Sequence, residues 1–307
     1  MTKNIKFFLI TFILSLAFWQ GVNFSQNTLE NFFYAQISEP FGQIVEIKIP
    51  QKPPLELNAK SAISIKISSI GLPAGRQGKE KTLFRKNTSE ILPLASLTKL
   101  MTAVIVLENV NYDLKRLITI SKTAAGHENV PDYSNLKAGE RFTVEKLLEL
   151  MLSYSSNDAA YSLSELIGVN NFVKKMNLRA QELKLSQTQF LNPTGLEDAQ
   201  NNFNYSTAND LTVLTKYILK NHPLIFEITS RWKMYFIRNS ISDLILADSQ
   251  IMLGGKTGYT DEAGGCLIFL FSDEKGNIVI NIILGASSAE TRIQEAQKLI
   301  NWINSGR

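Results

Sequence analysis

The 307-residue sequence predicts an α+β fold: an antiparallel sheet flanked by helices, with a mainly helical subdomain. Three observations carry this. Ser61–Ile67 alternates apolar and polar residues at period two, the signature of a strand near the front of the chain. Helical patterns dominate residues 95–230. Strand patterns then return at Gly254–Tyr259, Gly265–Ser272 and Asn277–Gly285, before an amphipathic helix marked by Ile293, Ala296, Leu299, Ile300 and Ile303. Strands at both ends with helices between them predict that the terminal strands share one sheet.

Composition narrows the function classes. A 44% apolar content fills a sizeable core, and the formal net charge of +4 is mild. No dense basic cluster follows the N-terminus, so nothing points to a nucleic-acid partner. Cys266 is the single cysteine, which excludes an intrachain disulfide and a cysteine metal site. Its apolar surroundings, Gly264–Phe271, read as core. His127 and His222 stand apart from any metal-ligand spacing and from a nucleophile-elbow context, so neither a metal nor a Ser-His-Asp triad is expected.

The elements follow in order. Lys3 and Lys6 precede 13 mostly apolar residues, Phe7–Trp19, which read as the core of a secretory signal. The run is short for a transmembrane helix, and Gln20-Gly21-Val22 is a poor cleavage site, so residues 1–20 are a signal peptide or an uncleaved anchor. Either way the rest is exported, and the chain meets a membrane only through this segment. Residues 21–57 read as a spacer, leaving 58–307 as the functional domain. Thr82–Lys86 pairs with Ser61–Ile67 as a hairpin, with Gly71–Gly78 as a surface insertion between them. The polar stretch 122–142 reads as loop. Thr143 caps one helix and Asp158 the next; further helices run through 169–184 and 207–221. Asp273–Gly276 turns the last hairpin.

Chemistry concentrates in one stretch, Pro93–Ala103. Ser96 is followed three residues later by Lys99, and Leu100–Leu107 behind them is largely apolar. A helix apolar all round belongs in a core, and Pro93 stands where helices begin. Ser96 and Lys99 then share the first turn of a buried helix, with Oγ and Nζ within reach. A serine hydroxyl needs a base to take its proton. Burial and the positive end of the helix dipole both favour the neutral amine that lets Lys99 serve.

Two further triplets follow. Ser155-Ser156-Asn157 stands at a break between helices, and Lys256-Thr257-Gly258 opens a strand. Taken singly, the first is a capping turn and the second a strand-opening turn. In this order, 59 and 101 residues apart (155 − 96 and 256 − 155), S-x-x-K, S-x-N and K-T-G form the set shared by penicillin-binding proteins and class A β-lactamases.

On these residues the chain resembles the serine-type D-alanyl-D-alanine carboxypeptidases, the low-molecular-mass penicillin-binding proteins. The resemblance extends through Ala95–Ala103, Ser155–Ala160, Asn192-Pro193-Thr194-Gly195-Leu196, Ser206-Thr207-Ala208 and Gly255–Thr260, and covers about 58–305. It implies the β-lactamase/DD-peptidase-like fold and hydrolysis of the terminal D-Ala-D-Ala bond of peptidoglycan stem peptides, with β-lactam antibiotics as inhibitors and no cofactor. It also implies roles. Ser96 attacks and carries the acyl group, Lys99 takes its proton, and Ser155 relays a proton to the leaving D-alanine. Asn157 holds Lys99 or the substrate amide. Lys256 and Thr257 meet the substrate carboxylate, Gly258 lets substrate backbone lie against the strand, and the N–H groups of Ser96 and Tyr259 form the oxyanion hole.

The sequence also departs from relatives. Many carry a β-rich C-terminal domain, whereas this chain ends at Arg307, so the catalytic domain alone is expected. Asn202–Tyr205 stands where relatives often show a histidine, and 231–250 matches poorly. Three alternatives stay open: endopeptidase action on cross-links, a non-enzymatic wall-binding protein, and a β-lactamase. The last would use Glu197, because Glu197–Asn201 fits an E-x-x-x-N pattern. The Gly195-Leu196 context favours an accidental match.

Overall fold

The computed structural model describes residues 3–38, 52–68, 79–109, 113–127, 135–198, 200–231 and 241–305. The 71–78 insertion and most of 231–250 before Ile241 lie outside these. The chain divides into two compact units, Met1–Pro53 and Pro54–Arg307.

The first unit holds one helix, α1 (Lys3–Ser38). It continues well past Trp19, through the first part of the expected spacer. Gly21 does not end it, since a lone glycine costs a helix only about 1 kcal/mol and Val22, Phe24 and Leu29 continue the apolar pattern. Within it, the 24 residues Phe8–Asn31 are long and apolar enough to cross a membrane, by length and composition.

The second unit begins with the hairpin β1 (Ser61–Ile67) and β2 (Glu80–Lys86). A two-residue strand, β3 (Leu92–Pro93), precedes a 3₁₀ turn, Ala95–Thr98, and α2 (Lys99–Glu108). Next come β4 (Leu117–Thr119) and β5 (Arg141–Thr143), then α3 (Val144–Ser153), α4 (Asn157–Glu165) and α5 (Val169–Glu182). β6 (Tyr205–Ser206), α6 (Ala208–Asn221) and α7 (Leu224–Arg231) follow. The chain closes with β7 (Ile251–Thr260), β8 (Gly264–Ser272), β9 (Ile278–Ala286) and α8 (Ala289–Asn304).

The sheet joins both ends of this unit, as the sequence predicts. Its order is β2-β1-β9-β8-β7, antiparallel throughout, with Ile63 opposite Ile282 and Lys256 opposite Ile268. Alternation sorts its side chains into two cores. From β8, Cys266, Ile268 and Leu270 join the core shared with α2–α6; Leu267, Phe269 and Phe271 join the one under α8. Among the described residues β7 is an edge strand, and it carries Lys256–Tyr259.

Four expectations need correction. Pro93 does not start a helix; it pairs with Tyr205 across the β3–β6 ladder. The first helical turn is 3₁₀ rather than α. Arg141 and Phe142 of the expected loop belong to β5, paired with β4, a ladder too short for periodicity to reveal. Asp158 is not the cap of α4. Ser156 is, two residues earlier, its Oγ accepting from Ala159 N at 3.2 Å, while the Asp158 carboxylate is turned away to accept from His127 N at 3.1 Å and Leu136 N at 3.0 Å. Thr143 does cap α3, accepting from Lys146 N at 3.1 Å.

Candidate active site

The nucleophile turn is built by contrast between a strained start and a buried continuation. Ala95 sits at φ +47°, a region costly for a residue with a Cβ. Such strain costs about 1–3 kcal/mol. It is offset behind the turn, where every residue of Lys99–Val106 is buried, and each large apolar side chain so buried contributes about 1.5–3 kcal/mol. In a 3₁₀ turn, residues i and i+3 eclipse one another. Ser96 Oγ therefore lies 2.8 Å from Lys99 Nζ.

Lys99 is fully buried, and its Nζ has two further neighbours of fixed character. It donates to Asn157 Oδ1 at 2.7 Å and to the Thr194 carbonyl at 2.8 Å. Those two acceptors engage two N–H bonds and leave the third position of the nitrogen facing Ser96 Oγ. In the neutral amine that position is the lone pair.

Ser155 and Lys256 form a second pair on the other wall. Lys256 Nζ donates to Ser155 Oγ at 2.9 Å and to the Thr257 carbonyl at 2.8 Å. Burial drives the Lys256 ammonium well below its ordinary value of 10.5, and the charges of Lys99 and Arg292 push the same way. Ser155 thus stands beside a buried amine that holds its proton weakly.

β7 packs against the nucleophile turn. A Cβ at Gly258 would lie 3.1 Å from Ser96 N and from the Leu94 carbonyl. The bare face of this glycine lets the turn approach the strand, and it brings the Ser96 N–H beside the Gly258–Tyr259 backbone. Arg292 of α8, buried, donates to the Gly258 carbonyl at 2.8 Å and secures the strand. Tyr259 is 46% exposed and points a large apolar surface outward.

The remaining candidates lie elsewhere. Cys266 is buried, and burial pushes its thiol up to about 11, far from reactive. His127 stacks on Tyr161 at 3.7 Å between ring centroids, and His222 Nε2 meets Glu108 Oε1 at 2.8 Å. Among the described residues no hydrogen bond joins Glu197 to Ser96. The turn that contains Glu197 is organised by its neighbour: Asp198 Oδ1 accepts from Gln200 N at 2.9 Å and Asn202 N at 2.8 Å.

Seven of the eight residues singled out from the sequence lie on the elements that meet here, and Ser155 lies in the turn between α3 and α4. Sequence reasoning gave no part to Thr194, Thr98, Asn192, Asn204 or Arg292. Asn192–Leu196 was visible as a motif, yet its contribution is a main-chain carbonyl, which no side-chain pattern announces.

Known proteins share this fold and much of this sequence. The family model for D-alanyl-D-alanine carboxypeptidases matches residues 48–288. The chain is 33% identical over 236 residues to D-alanyl-D-alanine carboxypeptidase DacF of Bacillus subtilis (strain 168), which covers 72% of this chain. It spans 58% of that relative's length. It is 31% identical over 243 residues to a D-alanyl-D-alanine endopeptidase of Pseudomonas aeruginosa, covering 75% of this chain and 76% of that protein. The crystal structure of penicillin-binding protein D2 from Listeria monocytogenes in its ampicillin-bound form superposes with a TM-score of 0.64 at 30% identity, over 81% of this chain and 99% of that one. The fold and the family match define a penicillin-binding-protein-like serine peptidase. The chain belongs to the D-alanyl-D-alanine carboxypeptidase family.

Proposed function

We propose that this chain is a serine carboxypeptidase that removes the terminal D-alanine from peptidoglycan stem peptides through an acyl-enzyme on Ser96. The observation that carries the reading is the setting of Lys99, whose two acceptor partners leave one nitrogen position facing Ser96 Oγ. Lys99 takes the Ser96 proton as Oγ bonds to the scissile carbonyl carbon. The developing oxyanion is met by the N–H groups of Ser96 and Tyr259, where one lost donor typically costs about 10²–10³ in rate. As the C–N bond breaks, Ser155, hydrogen-bonded to Lys256, passes a proton to the leaving amine. Water then hydrolyses the ester. Lys256, once protonated, and Thr257 receive the substrate's terminal carboxylate, and β7 beyond Gly255 offers backbone groups to an extended peptide.

Endopeptidase action on cross-links is the second reading, favoured by the similarity to the Pseudomonas enzyme of that name. Both break a D-Ala-linked peptide bond, so the test is product mass from purified sacculi. Release of single D-alanine is expected; separated muropeptide dimers would identify an endopeptidase, and no product at all would identify a wall-binding protein. The penicilloyl-enzyme should last minutes or longer. Rapid turnover lost in Glu197→Gln would make the protein a β-lactamase instead.

The site belongs outside the cytoplasmic membrane, where peptidoglycan is. The apolar span Phe8–Asn31 supports export with residues 1–20 as signal or anchor. Fractionation should find the protein with membrane or periplasm, and recovery from the cytosol would refute this location.

A further inference from the structure

We infer that Asn204 is a positioning residue for the base: it fixes the turn whose Thr194 carbonyl holds Lys99. The inference rests on the acyl-enzyme reading above. Asn204 is fully buried, 106 residues away from Thr98 in sequence, and its side chain ties two segments together. Nδ2 donates to Thr98 Oγ1 at 2.9 Å and to the Asn192 carbonyl at 3.0 Å. Oδ1 accepts from Leu191 N at 2.7 Å and Asn192 N at 3.2 Å. Two donors and two lone pairs are the full capacity of an amide, and all four are used. Its main-chain carbonyl also accepts from Leu94 N at 2.9 Å, just ahead of the nucleophile turn.

The turn held this way is rigid down to the carbonyl that matters. Asn192 Oδ1 accepts from Thr194 N at 3.1 Å and Gly195 N at 2.7 Å. Thr102 Oγ1, on α2, donates to the Pro193 carbonyl at 2.7 Å. Gly195, at φ +92°, lies so close to the nucleophile turn that a Cβ would come within 2.0 Å of the Ala95 carbonyl oxygen. Thr98 stands between Ser96 and Lys99. One side of the link is therefore the catalytic turn, and the other is the strip that presents Thr194 to Lys99. A buried, fully satisfied amide at that junction sets the relative position of the two. Misplacing a catalytic partner by about 1 Å can cost about 10²-fold.

The test measures acylation of Ser96 by a fluorescent penicillin between pH 5 and 10, using the full chain. Asn204→Ala should lower the plateau acylation rate about 10²-fold with initial binding of the penicillin unchanged. The acid limb of its pH profile should move to lower pH, because Lys99 loses a carbonyl that favours its ammonium form. Thr98→Val keeps the side-chain shape and removes one anchor of Asn204, and should cost about tenfold. Tyr205→Phe, next in sequence and outside the network, should stay at the wild-type rate. Equal rates and an unmoved acid limb in folded Asn204→Ala would overturn the inference and leave a purely structural amide. Should that variant fail to fold, Thr98→Val decides by the same criteria. A wild type that takes no label overturns the acyl-enzyme reading and this inference with it.

Discussion

Replacing Ser96 by alanine should abolish covalent labelling by a fluorescent penicillin and release of D-alanine from a pentapeptide, a loss of about 10⁴-fold or more. The fold should survive. Ser96 Oγ has Lys99 Nζ as its hydrogen-bond partner, so the change removes one bond worth about 1 kcal/mol and no apolar packing. Lys99→Ala should be almost as inactive, because nucleophile and base act as a unit. Its stability should fall further, since Asn157 Oδ1 and the Thr194 carbonyl lose a buried donor at about 1–3 kcal/mol each. The two variants thus separate chemistry from structure: one is dead and stable, the other dead and weakened. Label retained by Ser96→Ala would end the acyl-enzyme reading. Label retained by Lys99→Ala at the wild-type rate would move the base elsewhere, with Lys256 through Ser155 the next amine in line.

What the sequence revealed and what it hid divide along physical lines. β8 and β9 were legible because burial on both faces leaves a continuous apolar run, and α2 because eight successive residues are buried. The triplets were legible because their chemistry resides in side chains. Local competition hid the rest. Ser156 and Asp158 are both good caps, and they are told apart only in the closed fold, where the Asp158 carboxylate binds the His127 and Leu136 amides. Pro93 is compatible with a helix start or a strand edge, and its pairing with Tyr205 is a contact no local pattern contains. The bare face of Gly258 also has a use inside the protein that no local pattern shows: it lies against the Ser96 turn. The Asn204–Thr98 link needs the closed fold before either residue has a partner. In each case the sequence carries the residue, and the tertiary contact gives it its job.

Lys256→Met should make the protein less active and, near neutral pH, more heat-stable. Methionine keeps the length of the side chain and removes the amine. Substrate or penicillin then loses its charge-assisted carboxylate contact, and acylation should fall by about 10²-fold or more. Stability moves the other way because Lys256 is 3% exposed and its ammonium is disfavoured by burial, by Lys99 and by Arg292. The native pKa lies below the unfolded value, so between the two the unfolded chain binds more protons. Acid therefore draws the wild type toward unfolding throughout that window, and the stability contributed by this group falls as pH drops from about 10.5 toward the native pKa. The variant lacks the group and escapes the effect. Its melting temperature should exceed that of the wild type at pH 7, and the gap should narrow as pH approaches 10.5. Calorimetry of both proteins across pH 7–10 reads this directly. A variant that melts below the wild type at every pH would mean that the bonds from Lys256 to Ser155 and Thr257 outweigh the burial of the amine, and that the lysine is kept for structure as well as for its charge. A gap that narrows with unchanged acylation would instead leave the amine out of carboxylate recognition and pass that role to Thr257 and the β7 backbone.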